Sequence, residues 1–312
     1  CQKKQWEIIK TARPSILFIQ SDGGRTAEEW NAIYLNRKMI DESLDWDCTV
    51  YRLYEEKNNG MYAMSKKTTN LIWSKVDRCI FTEDDQLFSI SFFQFCAELL
   101  KEYKDDKRIE CICGMNHFGV SEEVTSDYFF SKQGSIWGFA TWRDRFQERN
   151  NYSYADDAYI LKLIKHKTKN DKDIYRRILG YAKNRMFDGH VPGSEFWIDF
   201  NMYAQERMQI IPKYNMVNNI GCTEDSEHST SFKYLPTATK RVFNTQIYEL
   251  SFPLKHPQYV ISDDFYMRKR DWLLGRNHPI LALARKFESR FYKLIYGGVR
   301  EAFKFKRKKV EN

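Results

Sequence analysis

The chain has 312 residues, 42% of them hydrophobic and 29% charged, an ordinary globular balance that supports a sizeable core and excludes a wholly disordered or fibrous protein. No run approaches the roughly 18 consecutive apolar residues of a spanning helix, and no short apolar run follows a basic start as in a signal peptide, so a soluble, cytoplasmic protein is expected. The formal charge is +8, and Leu281 to Lys309 alone carry that excess; the balanced remainder predicts no nucleic-acid groove. In chain order, the apolar run Ser15 to Gln20 reads as a buried strand ending in the turn Ser21-Asp22-Gly23-Gly24. Thr26 with Glu29 three residues on is a capping-box signature that opens a helix through Trp30, Ile33, Tyr34 and Ile40. A second strand is predicted at Cys48 to Leu53, followed by the polar loop Glu55 to Gly60 and a helix through Met64, Leu71, Ile72 and Trp73. A third strand, Arg78 to Thr82, runs into Glu83-Asp84-Asp85; a helix from Ser91 to Tyr103 and a fourth strand near Ile109 to Gly114 follow. This alternation predicts an α/β fold: βαβ units on a mostly parallel sheet flanked by helices.

The seven cysteines are scattered, with no C-x-x-C pair that would build a zinc site, which fits a reducing compartment. Cys111 and Cys113 flank Ile112 in an apolar run and read as residues on one face of a strand rather than as a redox pair.

Ligands of parallel sheets collect at the carboxyl ends of the strands. Three polar clusters end successive strands here: Asp22 with Arg25, Glu55 to Gly60, and Glu83-Asp84-Asp85. There is no G-x-G-x-x-G and no G-K-[ST], so neither a dinucleotide fingerprint nor a P-loop accounts for this rim. Three consecutive acids repel one another unless a cation or basic partner offsets them. A hard divalent ion, Mn²⁺ or Mg²⁺, completed by diphosphate oxygens would do so; surface acids capping the next helix are the plainer alternative.

Five segments, ILFIQSDGGR, the K-N-N-G of the second loop, IFTEDD, GSIWGFATWR at Gly134 to Arg143, and IIPKYNMVNNIGCTEDSEHST at Ile210 to Thr230, occur in this order. Together, over about residues 6 to 230, the chain resembles a bacterial family of GT-A nucleotide-diphospho-sugar glycosyltransferases of the surface-polysaccharide type. The resemblance implies metal-dependent, inverting transfer of a sugar from a nucleotide-sugar donor, with a UDP-sugar as the default, to a glycan or lipid-linked acceptor. It makes the acidic cluster the D-x-D-type motif, with Asp85 as metal ligand and Glu83 and Asp84 on the ribose or sugar side. Asp22 and Arg25 match the family's D-G-P-R near base and ribose, with Gly24 standing where the family has Pro. Lys57, Asn58 and Gly60 match its K-N-x-G loop beside the nucleotide, and His228 stands where a C-terminal histidine reaches back to the metal or diphosphate.

The transfer needs a carboxylate to take the proton of the acceptor hydroxyl. Glu195 stands over the family's Asp, and Asp199, one helical turn on, is the reserve candidate; either acid could instead simply begin a helix. Trp137 is expected to line the donor or acceptor pocket, and Trp142 to belong to the core. The resemblance also implies a further strand ahead of Cys1.

Residues 1–235 are expected to form the transferase domain and 236–312 a C-terminal extension with a basic helix. In that extension Phe287, Phe291, Leu294 and Ile295 recur at helical spacing among the bases, before a Gly297-Gly298 break. Peripheral contact with an anionic membrane, on the inner face of the plasma membrane, is one expectation, and a solvated helix packed on its own domain the other. Two rival functions stand beside the transferase: a non-catalytic glycan-binding or scaffold protein at the membrane, and a sugar nucleotidyltransferase. The latter normally shows a Gly-rich loop with a basic residue near the N-terminus, which this sequence lacks.

Overall fold

The apolar runs become strands where they are short and β-branched or aromatic, and helices where the apolar spacing lengthens to three and four. In the computed structural model, residues 2–148, 157–168, 174–176, 194–221, 232–243 and 245–302 are described, without the side chains of 194–197 and 302. Helix α1 (Gln2–Ala12) buries Gln5 and Trp6 and precedes strand β1 (Ile16–Ser21). Helix α2 (Ala27–Glu42) starts at the predicted cap, where the Thr26 hydroxyl accepts the Glu29 N–H at 3.2 Å. Strand β2 (Thr49–Tyr54) pairs in parallel with β1, in register from Ile16 opposite Thr49 to Ser21 opposite Tyr54. Helix α3 (Met61–Lys75) and strand β3 (Arg78–Phe81) follow.

Beyond β3 the pairing leaves the predicted course. Strand β4 (Gln86–Phe88), helix α4 (Ser91–Glu102) and strand β5 (Ile109–Cys113) lead to the buried strands β6 (Tyr128–Ser131) and β7 (Phe139–Trp142). Short helices α5 (Arg143–Glu148) and α6 (Ala158–Lys167) precede α7 (Ser194–Ala204), and strands β8 (Met208–Pro212) and β9 (Val217–Asn219) complete the sheets. The five-stranded sheet has the order β3-β7-β5-β8-β6. Within it only β5 and β8 are parallel; β3–β7, β5–β7 and β6–β8 are antiparallel. The sheet is therefore mixed, which corrects the mostly parallel expectation. The physical reason is β7: its four residues Phe-Ala-Thr-Trp are buried on both faces and wedge antiparallel between β3 and β5, two strands that an unbroken βαβ run would have placed side by side.

One face of this sheet, with Ile112, Phe130, Ala140, Trp142 and Ile210, packs on Phe92, Phe95, Cys96 and Leu99 of α4. The other, with Cys111, Cys113, Phe129, Phe139 and Ile211, packs on Ile198, Phe200 and Met202 of α7. Cys111 and Cys113 thus share a face, as read, and a register shift between Ile109 and Cys111 explains why Ile109 joins Ile112 on the first face instead. The chain after residue 235 returns to this body: Leu254 lies in the first core, and Tyr266 of α9 (Asp264–Leu274), which follows α8 (Thr237–Phe243), in the second. The last helix, α10 (Pro279–Ala302), breaks at Gly298, whose φ of 74° is not helical, where the glycine pair predicted it. Among the described residues no helix is long and apolar enough to cross a membrane.

Candidate functional site

Because β1 and β2 are parallel and in register to their last residues, the loops that follow them lie side by side. Asp22 clamps them together. Its carboxylate accepts N–H bonds from Gly23 at 2.9 Å, Asn59 at 3.0 Å and Gly60 at 2.8 Å, and another from the Asn59 side chain at 3.2 Å. Burial raises the Asp22 pKa, but these donors outweigh it and hold the carboxyl below its ordinary range. Asn58 closes the clamp from the other side, donating to the Gly23 carbonyl at 2.9 Å. The two loops approach so closely that a Cβ on Gly23 would lie 2.4 Å from the Lys57 carbonyl carbon. Gly60 takes φ 79°, turning the chain into the N-terminus of α3. Lys57 is exposed.

Sequence reasoning missed the second fastening. Arg37 of α2 donates to the Ser21 hydroxyl and carbonyl and to the Asp22 and Glu55 carbonyls at 2.9–3.2 Å, while its guanidinium lies 4.7 Å over Tyr54. No local pattern signals this, because the acceptors are carbonyls from two separate loops. Arg25 forms a 2.9 Å ion pair with Glu29, one turn into α2.

The acidic turn joins β3 to β4. Gln86, fully buried, holds it: its side-chain nitrogen donates to the Glu83 carboxylate at 2.9 Å, and its oxygen accepts from Glu83 N at 3.2 Å and Gly138 N at 2.9 Å. From α1, Gln5 donates to the Glu83 carbonyl and Gln2 to the Asp84 carboxylate at 3.0 Å. Glu83 and Asp84 are exposed, whereas Asp85 is half-buried. The antiparallel pairing of β4 with β9 continues past Asn219, where Ile220 N donates to the Asp85 carbonyl at 2.8 Å. A Cβ on Gly221 would fall 2.3 Å from Asp85 Oδ2, so the carboxylate rests directly on the Gly221 backbone. His228 stands seven places further along the chain and lies outside the described residues, as does the side chain of Glu195.

Trp137 is half-buried against the first core, its ring centroid 4.9 Å from that of Phe243. Trp142 is a core residue, as expected, donating its indole N–H to the Leu100 carbonyl at 3.0 Å. Asp199 is half-buried between Ile198 and Phe200 on α7. Its charge acts on Arg270, whose pKa is lowered by burial and by Arg276 against the opposing pull of Asp199 and Asp271. Arg270 in turn donates to His117 Nε2 at 3.2 Å, to the Gln133 side chain and to the Gly134 carbonyl. Burial and the neighbouring arginines keep His117 neutral, and the Arg270 bond places its proton on Nδ1, 3.1 Å from the Tyr266 hydroxyl. Nothing in the sequence around His117 marks this buried network.

Seven of the predicted residues therefore fall into two groups. Asp22, Lys57, Asn58 and Gly60 share one loop pair, and Glu83, Asp84 and Asp85 share one turn with Gly221 beside it. Among the described residues no three His, Cys, Asp or Glu side chains gather as a metal-binding group. The oxygen donors of the acidic turn suit a hard cation that needs only one or two protein carboxylates. A shallow cleft lined by Asp77, Lys104, Lys107, Arg143 and Asp144 opens at the opposite end of β3, where Arg78 pairs with Trp142, and is remote from the turn. No protein-family model matches the chain, and no curated protein matches it either.

Proposed function

We propose that the chain is a GT-A glycosyltransferase that moves a sugar from a nucleotide-diphosphate sugar to a glycan or lipid-linked acceptor with inversion. The observation that carries this reading is the Ile220 N–H bond to the Asp85 carbonyl that extends the β4–β9 pairing, which joins two segments of the resemblance far apart in sequence and seats Asp85 against Gly221, at the root of the segment that includes His228. In this reading Asp85 and His228 would hold Mn²⁺ or Mg²⁺, which would supply positive charge to offset that of the diphosphate leaving group. The Asp22 carboxylate is engaged by the loop's own N–H groups, so its work is to shape the loop pair, while the exposed Lys57 ammonium faces solvent beside it for an anionic donor. The acceptor oxygen attacks the anomeric carbon, the bond from that carbon to the diphosphate breaks, and a carboxylate takes the hydroxyl proton. Asp199 is half-buried on α7 between two core residues, so Glu195, which stands over the family's Asp, is the first choice of base.

The test is release of nucleoside diphosphate from a panel of nucleotide sugars with and without Mn²⁺. Asp85→Ala is expected to lower the Mn²⁺-dependent rate by about a hundredfold or more, as loss of a charge-stabilising group does, while the exposed Glu122→Ala leaves it unchanged. Equal rates in both variants would remove Asp85 from the reaction.

A further inference from the structure

An amphipathic helix on a globular protein normally turns its apolar stripe inward. Helix α10 does the reverse. Arg285 donates to the Trp272 carbonyl at 2.7 Å, Glu288 accepts from the Thr237 N–H and hydroxyl at 3.0 and 2.7 Å, and Lys240 Nζ lies 4.1 Å over the Tyr292 ring. Those polar residues are the side that faces the body. At 100° per residue, Ile280, Leu283, Phe287, Phe291, Leu294 and Ile295 fall within an arc of about 120° whose centre lies about 110° around the helix from that side. All six are exposed, Ile280 by 81% and the two phenylalanines by 59% each.

We propose that this stripe docks the protein flat on an anionic phospholipid surface, its six apolar side chains entering the boundary between headgroups and acyl chains. Charge selects the occupant. Exposed Lys286 and Arg290 flank one edge of the stripe, with Lys293 beside them, and of the two acids on the helix Glu288 is engaged toward the body. A second copy of the chain seated on the same stripe through a twofold axis would set these like charges against one another, whereas anionic headgroups neutralise them. The residue composition of the helix supports lying on a bilayer and not crossing it. This docking stands apart from the transfer chemistry.

Co-sedimentation of the full chain with phosphatidylcholine vesicles, with and without phosphatidylglycerol, tests it. The protein is expected to favour the anionic vesicles by about tenfold or more, with binding weakened by added salt. The Phe287→Ser/Phe291→Ser and Lys286→Gln/Arg290→Gln variants should each lower that partition by about tenfold, with unchanged circular dichroism because all four side chains are exposed. Equal binding to neutral and anionic vesicles, no binding, or binding untouched by both variants would overturn the proposal. So would a wild-type dimer in solution that the phenylalanine variant converts to monomer, which would assign the stripe to a second copy.

Discussion

Gly221 and Asp85 touch where no side-chain atom fits between them. A Gly221→Ala chain would bring its Cβ within 2.4 Å of the Asp85 Cβ, and overpacking of that kind costs about 1–3 kcal/mol. The variant is expected to melt lower and, under the proposed function, to lose a thermal stabilisation by Mn²⁺ with nucleoside diphosphate that the wild type is expected to show. A scanning melt with and without those ligands checks both, and a wild-type response would show that Asp85 does not depend on this contact. At this scale the sequence pointed to the loops more truly than to the tasks within them. Asp22 was legible as a strand-end acid, but its engagement by Asn59 and Gly60 follows from the parallel register of β1 and β2, which no local pattern encodes. Arg25 was legible as a charge near a turn; its Glu29 partner was already present in the capping box.

Among the elements, α4 has no side-chain cap of its own at Ile90 and takes one from far along the chain. The Glu249 carboxylate accepts N–H bonds from Ile90 at 2.9 Å and Ser91 at 2.8 Å. Burial raises its pKa, and the bonds from Ser91 and Ile90 more than reverse that, so the folded-state value lies below the ordinary 4.5. A carboxyl depressed by folding contributes stability above its ordinary value and loses it as pH falls through the lowered one. Glu249→Gln should therefore cost about 0.5–1 kcal/mol at neutral pH, the low end for a cap because the group is exposed. The gap between variant and wild type should close on acidification below pH 4.5, which denaturant titrations across that range would show. The long strands and helices of the first third were readable because each carries an apolar run with a clear stop. The strands β4 and β9 have three residues each, too few to display a period, and β7 was read as part of a motif, so the antiparallel pairings escaped.

Across the whole molecule, one buried ion pair ties four elements together. Arg207, just before β8, donates to Glu110 of β5 at 2.8 Å and to Glu148 of α5, and Asn201 of α7 donates to Glu110 at 3.3 Å. Arg207→Met would leave the Glu110 carboxylate buried without its cation, at a cost of about 3–5 kcal/mol. Adding Glu110→Gln should recover much of that loss, a pattern that equilibrium unfolding of the single and double variants would reveal. The α/β class was legible from alternation alone, whereas strand order was not, because it is decided by partners such as β3 and β7 that meet only after the chain has folded back. Among the described residues the strands also form three ladders instead of one, with β1 and β2 bonded only to each other, β4 and β9 likewise, and five strands forming the largest set. Each ladder is stiff through its own backbone, while the seam between the first and the largest depends on side chains of α3, where Thr68 donates to the Gln20 side chain of β1 at 2.6 Å and the Trp73 ring lies 5.8 Å from Phe81 of β3. A guest that touched both sides of that seam would rigidify the protein without altering either ladder, and cooperative tightening could pass between them with no visible change of shape.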